Sequence, residues 1–162
     1  MNEEEALRAQ LTERFAFLQD KVRIQRARRV WAEVGYDHFS EVFDHAVKQM
    51  GFGILCTITG LDLGDNLGAT YHLARENGTV LNLATAVPKA QPILQTVTGQ
   101  FPAADCYERE LVDLLGFQVQ GLGEGSRYPL PDDWPAGQYP LRKDWKPAEG
   151  AYGAKPSEVK NA

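Results

Sequence analysis

Six of the nine prolines fall after Gly121, and no hydrophobic period survives there. Proline fixes φ and removes a backbone donor, so neither a long helix nor a central strand fits this stretch. The fold must therefore close within residues 1–120, leaving 121–162 as an extended C-terminal arm. Yet the arm carries Tyr128, Leu130, Trp134, Tyr139, Leu141 and Trp145, large anchors that a flexible linker lacks. Anchors spaced along an extended chain suit a tail laid on another protein. The alternative is an arm folded back on its own sheet. Both readings stand for residues 121–130, and the partner is the expectation for Trp134–Trp145. From Pro147 to Ala162 the sequence reads as a loose terminus.

Before the arm, period and punctuation predict an α+β domain. Leu7, Leu11, Phe15 and Leu18 share one face of a helix over residues 3–18. Residues 22–34 mix Val, Ile, Arg and Trp and suit strand, interrupted near the middle. Phe39, Val42, Phe43, Ala46, Val47 and Met50 step as a helix over 37–50, with Asp37 or Ser40 as its cap and Gly51 beyond its end. Residues 52–87 read as an antiparallel meander turning at 65–68 and at Asn77-Gly78, with a bulge at Gly60 and an end at Pro88. Cys56 is expected in the core. A short helix is expected over 91–99. The fold class is α+β, a mixed or antiparallel sheet with helices packed on one face.

A net charge of −5 argues against a nucleic-acid partner, whose footprint is a basic patch. The basic run Arg26-Ala27-Arg28-Arg29 reads as a solvated strand edge. Cys56 and Cys106 stand far apart, without CxxC or Cys/His grouping, so no disulfide framework, structural zinc or iron–sulfur cluster is expected. His38 and His45 lack the i, i+4 spacing of metal ligands. There is no phosphate-binding glycine loop and no nucleophile elbow. The acidic start, Met1-Asn2-Glu3-Glu4-Glu5, lacks an apolar signal core, and no apolar run approaches the length of a membrane span.

The last period-bearing stretch is Asp105-Cys106-Tyr107-Glu108-Arg109-Glu110-Leu111-Val112-Asp113-Leu114-Leu115-Gly116. It predicts a helix with an Asp105–Glu108 capping box, Gly116 at C′, and Arg109 paired one turn away with both Asp105 and Asp113. Glu108 and Glu110 point to different sides and Asp113 meets no histidine, which argues against acid–base catalysis. Downstream lies Tyr139-Pro140-Leu141-Arg142-Lys143-Asp144-Trp145. The order Glu108-Arg109-Glu110, Asp113-Leu114-Leu115-Gly116, then Pro140-Leu141-Arg142-Lys143-Asp144 resembles the C subunit of NADH:quinone oxidoreductase. That is the thirty-kilodalton subunit family of respiratory complex I, which includes subunits of energy-converting membrane-bound NiFe hydrogenases and formate hydrogenlyases. The motif-bearing resemblance covers Phe101 to Trp145. Where the family often carries His or Lys, this chain has Leu122. Its linker Leu130-Pro131-Asp132-Asp133-Trp134-Pro135 resembles the hydrogenase branch.

The resemblance implies a cofactor-free accessory subunit of a complex I-like assembly, held by its partners on the cytoplasmic face of the cell membrane. Its partners would be a catalytic subunit, of the forty-nine-kilodalton type or like the NiFe-hydrogenase large subunit, and a neighbouring iron–sulfur subunit. Glu108, Arg109, Glu110, Asp113, Trp134, Pro140, Leu141, Arg142, Lys143 and Asp144 are the residues expected to serve docking. The prolines forbid a helix around Arg142, so its guanidinium is expected to meet a carboxylate on the 105–115 helix or on a partner. A generic adaptor domain and a small free-standing enzyme using the Glu108 and Glu110 carboxylates are the competing functions.

Overall fold

A computed structural model describes residues 2–147, so the expected loose terminus lies, except for Pro147, outside the described residues. Helix α1 spans Glu3–Arg14. Asn2 Oδ1 accepts the Glu5 N–H at 2.8 Å while Glu5 Oε2 accepts the Asn2 N–H at 3.0 Å, a reciprocal cap. The helix stops short of the expected residue 18. Phe15 leaves helical geometry (φ −128°, ψ 88°), and a 3₁₀ turn, Ala16–Leu18, follows. Phe15 and Leu18 are both buried there.

Strands β1 (Val22–Arg26) and β2 (Arg29–Glu33) form a hairpin, so the basic run is its exposed tip, with Arg28 at φ +57°. Helix α2 (Tyr36–Lys48) buries Phe39, Val42, Phe43 and Ala46 as its period requires. It starts one residue early, on Gly35 and without a side-chain cap. Asp37 therefore lies inside the first turn, where its negative charge suits the positive end of the helix dipole.

The meander is β3 (Ile54–Asp62), β4 (Asn66–Ala74) and β5 (Val80–Pro88), antiparallel throughout. β5 also pairs parallel with β2, giving the five-stranded order β1-β2-β5-β4-β3. The sheet is therefore mixed, accompanied by α-helices as expected. The predicted bulge is misplaced: Gly60 pairs regularly with Ala69, and the register shifts between Leu55 and Thr57. Cys56 sits at that shift and is exposed rather than in the core. Gly60 serves close approach instead, because a Cβ there would lie 2.6 Å from Leu111 Cδ2.

The expected helix over 91–99 is also absent. Residues Ile93–Gln95 form β6, which pairs parallel with β7 (Gln118–Gln120) in a second, two-stranded sheet. Ile93, Thr96, Val97 and Thr98 are β-branched and lose side-chain freedom in a helix. The Gln118 N–H, donated to the Pro92 carbonyl at 2.8 Å, supports the strand pairing. Helix α3 (Ala104–Leu115) runs between β6 and β7 and packs on β3.

One sheet face holds Val30, Ala32, Leu67, Tyr71, Leu73, Leu81 and Leu83 in the core. The alternate residues form the other face. There Thr59 Oγ1, His72 and Asn82 are joined at 2.9 and 2.6 Å. The same face bears a groove of about 430 Å³ lined by Trp31, Leu61, Gly68, Thr70, Ala84 and Ala86 among others.

Candidate docking site

The carboxyl and guanidinium groups of α3 form only part of the pattern their spacing predicts. The Asp105–Glu108 capping box is not made, because α3 starts on Ala103 without a side-chain cap. Glu108 points inward and is 1% exposed. Its Oε1 accepts the Val97 N–H at 2.7 Å and its Oε2 the Thr96 hydroxyl at 2.6 Å. Glu108 thus ties the segment after β6 to the helix. Burial raises its pKa, against the lowering effect of those two bonds.

Arg109 does form one expected pair. Its Nε and Nη2 donate to both Asp105 oxygens at 2.7 and 2.8 Å. The Arg109 contact lowers the Asp105 pKa, and Asp105 raises that of Arg109. The other expected partner, Asp113, turns elsewhere. Arg109 Nη2 reaches the Gly123 carbonyl at 2.9 Å instead. Gly125 passes so close that an added Cβ would lie 2.6 Å from Arg109 Cζ. Asp113 is 7% exposed and accepts from Arg127 Nε at 2.9 Å and from the Leu130 N–H at 3.2 Å. Arg127 Nη1 then donates to the Trp134 carbonyl at 2.7 Å. Residues 121–130 accordingly fold back over α3.

The segment Pro140–Asp144 is held to its own domain as well. The Leu141 N–H donates to the Leu114 carbonyl at 3.1 Å. Arg142 meets no carboxylate on α3, one of the two places expected to supply it. Its Nε donates to the Leu115 carbonyl at 2.6 Å, its Nη2 lies 3.5 Å from the Gly116 carbonyl, and its guanidinium covers the Tyr139 ring at 4.4 Å. The last carbonyls of a helix lack intrahelical donors and carry its negative end, so a cation there is favoured. Gly116 takes the expected left-handed C′ conformation (φ +76°), with the Phe117 N–H on the Leu111 carbonyl and the Gly116 N–H on that of Val112. Glycine is doubly required, since an added Cβ would meet Tyr139 at 2.6 Å and Arg142 at 2.7 Å.

Asp62, at the end of β3, is the anchor that sequence reasoning missed. Its side chain is 1% exposed. It accepts from Lys89 Nζ at 2.8 Å, from the Gly64 N–H at 2.8 Å and from the Lys143 N–H at 2.8 Å. Those donors, Lys89 first, hold its carboxyl far below the usual range. Lys89 also reaches Asp144 at 3.1 Å, and its pKa is raised, mainly by Asp62. The Asp62–Lys143 bond spans 81 residues, so no local pattern could predict it. The available signal was a charged residue in a strand whose neighbours alternate. Arg127, Thr96 and Lys89 were missed for the same reason.

Within the arm, Trp134 and Trp145 donate their indole N–H groups to the Gln138 carbonyl and side-chain oxygen, each at 2.8 Å, with ring centroids 6.1 Å apart. Leu141 and Tyr128 remain 57% and 43% exposed. The histidines have separate roles: His38 stacks on Phe17, His45 meets Phe15 edge-on, and His72 belongs to the open sheet face. Among the described residues no three His, Cys, Asp or Glu side chains group as metal ligands, and no helix is long and apolar enough to cross a membrane. What this geometry supplies is a rigid outer ridge of α3, clasped by an arm whose backbone and charges are largely satisfied within the chain.

Residues 32–151 match the family model described as the 30 kDa subunit of the respiratory-chain NADH dehydrogenase. The chain is 32% identical over 139 residues to the C subunit of the F(420)H(2) dehydrogenase of Methanosarcina mazei, covering 84% of this chain and 87% of that one. It is 29% identical over 170 residues to the membrane-bound hydrogenase subunit beta of Pyrococcus furiosus, covering 100% and 94%. Among solved structures it matches a chain of the membrane-bound sulfane sulfur reductase, an archaeal respiratory membrane complex, with a TM-score of 0.75, 26% identity and coverage of 90% and 86%.

Proposed function

The chain belongs to the family of the 30 kDa subunit of the respiratory-chain NADH dehydrogenase, and on that footing we propose that it is a non-catalytic subunit of a complex I-like electron-transfer assembly. Its relatives are subunits of respiratory and hydrogenase complexes. In this reading the domain of residues 1–120 docks beside the catalytic subunit, whether of quinone-site or NiFe-site type. The arm of residues 121–162 contributes to that contact. The chain binds no redox cofactor of its own, and it reaches the membrane only through partners, on the cytoplasmic side.

The observation that carries the reading is how the motif residues are used. Glu108, Arg109, Asp113, Arg142 and Asp144 are engaged in holding α3, the sheet and the arm together. None faces a metal-ligand group among the described residues. Charged groups fixed in this way build a shape, and a preorganised shape loses less entropy on binding. Trp134, Pro140, Leu141 and Lys143 ride on the clasped segment.

The test is to tag the chain in its native host, solubilise the membranes and isolate the assembly. A stoichiometric complex with a catalytic subunit of quinone-site or NiFe-site type is expected, with no iron, nickel or flavin in the separately purified chain. A chain that purifies alone and carries stoichiometric flavin or metal would overturn the subunit reading.

A further inference from the structure

The open face of the sheet carries a row of bonded side chains that the subunit reading does not use. Asn82, 2% exposed, donates its Nδ2 to the Val30 carbonyl at 3.2 Å and to Gln25 Oε1 at 3.3 Å. A backbone carbonyl can only accept, so the Asn82 oxygen is the atom turned to His72. That oxygen lies 2.6 Å from His72 Nδ1, which therefore carries the ring proton. In the neutral ring Nε2 is then bare, and it accepts the Thr59 hydroxyl at 2.9 Å. One backbone carbonyl thus sets the direction of every hydrogen bond as far as Thr59. Among the described residues, His72 is the one histidine with side-chain partners on both ring nitrogens.

A hydroxyl on Nε2 and an orienting oxygen on Nδ1 is the layout of an activated nucleophile. Thr59 is exposed and His72 half-buried, so the hydroxyl end is open to reagents. The apolar groove begins one step further along the same face. Leu61 follows Thr59 by two residues on β3, Thr70 precedes His72 by two on β4, and Ala84 follows Asn82 by two on β5. Two residues of strand are about 7 Å.

We propose that Thr59 is an acyl-accepting hydroxyl, with His72 as its general base and Asn82 as the residue that positions the imidazole. The substrate class is a small apolar acyl group on a good leaving group, as in an aryl ester or a thioester. Thr59 Oγ1 forms the new bond to the acyl carbon while its proton passes to His72 Nε2. The bond from that carbon to the leaving oxygen or sulfur breaks. The leaving group departs with the bonding pair and takes the proton from Nε2. Thr59 is left as its ester, His72 returns to the neutral form, and nothing is oxidised or reduced. The N–H groups of a sheet lie in its plane, so no oxyanion hole faces the acyl oxygen, and the leaving group must make the carbonyl reactive.

The full chain is treated with p-nitrophenyl acetate at neutral pH, p-nitrophenolate release is followed, and acetylated peptides are mapped by mass spectrometry. Acetylation of Thr59 ahead of every other hydroxyl is expected. Thr59→Ser should keep it and Thr59→Val should remove it. His72→Gln should slow it ~100-fold. Nitrogen NMR of the unaltered chain should show His72 as the Nδ1–H tautomer, and Asn82→Ala should mix the two tautomers. Acetyl groups on lysines with none on Thr59, a Thr59 rate unchanged in His72→Gln, or an Nε2–H tautomer in the unaltered chain would each overturn the proposal, and the subunit reading is untouched by all three.

Discussion

The five-stranded sheet and the α3–arm unit are held together by different physics. Across β2, β5 and β4 the structure rests on ladder bonds and on apolar residues such as Leu73, Leu81 and Leu83, none of them exposed. Between the domain and residues 121–147 it rests on charged side chains donating to, or accepting from, backbone atoms: Arg109 on Gly123, Asp113 on Leu130, Arg142 on Leu115, Asp62 on Lys143. Apolar burial is non-directional and tolerates small shifts. Charge-assisted bonds to backbone fix one geometry and respond to pH. The contrast is between an apolar sheet core and an arm whose geometry is fixed by charge-assisted bonds.

The largest effect should come from the sheet. Leu83→Ala removes a fully buried side chain and should cost about 2–5 kcal/mol by denaturant unfolding. The loss should be nearly the same at low and high salt. A strong salt dependence would blur the distinction between the two regions.

Next comes Glu108. Glu108→Ala leaves the Val97 N–H and the Thr96 hydroxyl without their acceptor and opens a cavity, for about 2–3 kcal/mol. Glu108→Gln keeps an acceptor for Val97 and should stay within about 1 kcal/mol at neutral pH. A carboxyl whose folded pKa is raised adds stability below its unfolded value, and that contribution is lost as pH rises through the folded value. Glu108→Gln should therefore flatten the pH dependence of the unfolding free energy above about pH 4.3.

Asp62 runs the other way. Its folded pKa is lowered, so its contribution is present above the unfolded value of about 3.9 and is lost as pH falls through the folded value. Asp62→Asn should remove part of the acid sensitivity of the wild-type chain below about pH 4. Limited proteolysis at acid pH should cut the wild-type arm near Lys143, while peptides of the sheet stay intact.

Smaller effects are expected at the two arginines. Arg127→Ala strips a largely buried Asp113 of its ion pair and should cost about 2 kcal/mol, between the values for exposed and fully buried pairs. Arg142→Ala removes a helix-end cation and should cost about 1 kcal/mol, lowering the Tm of the free chain as well as its assembly. An unchanged Tm for Arg142→Ala would mean that its helix contact contributes nothing in solution.

This difference in physics also decided what the sequence disclosed. Phe39 to Met50 and the Asn77-Gly78 turn follow local periods, and the helix and hairpin appear where those periods put them. Gly116 likewise ends α3 as its position required. The pattern misled where a local signal had two physical causes. Gly60 suggested a bulge but makes room for Leu111 and Leu115, and Arg109 had two candidate aspartates but took one. The short strand β6 depends on β7, which arrives only after α3. The destinations of Asp62, Asp113 and Arg142 are long-range side chain–backbone bonds, and no spacing encodes them. The two-residue spacing puts Glu108 and Glu110 on different sides of the helix, yet only the fold shows that the first is fully buried and the second half-buried.

Whether α3 and its clasped arm form the contact surface is decided most directly by hydrogen exchange, read by mass spectrometry on the free chain and on the isolated assembly. Peptides spanning residues 123–147 should gain protection in the assembly, while β4 and β5 peptides lining the open sheet face stay as they are. Protection gained along that open face around Trp31, Thr70 and Ala84, with the arm unchanged, would contradict it.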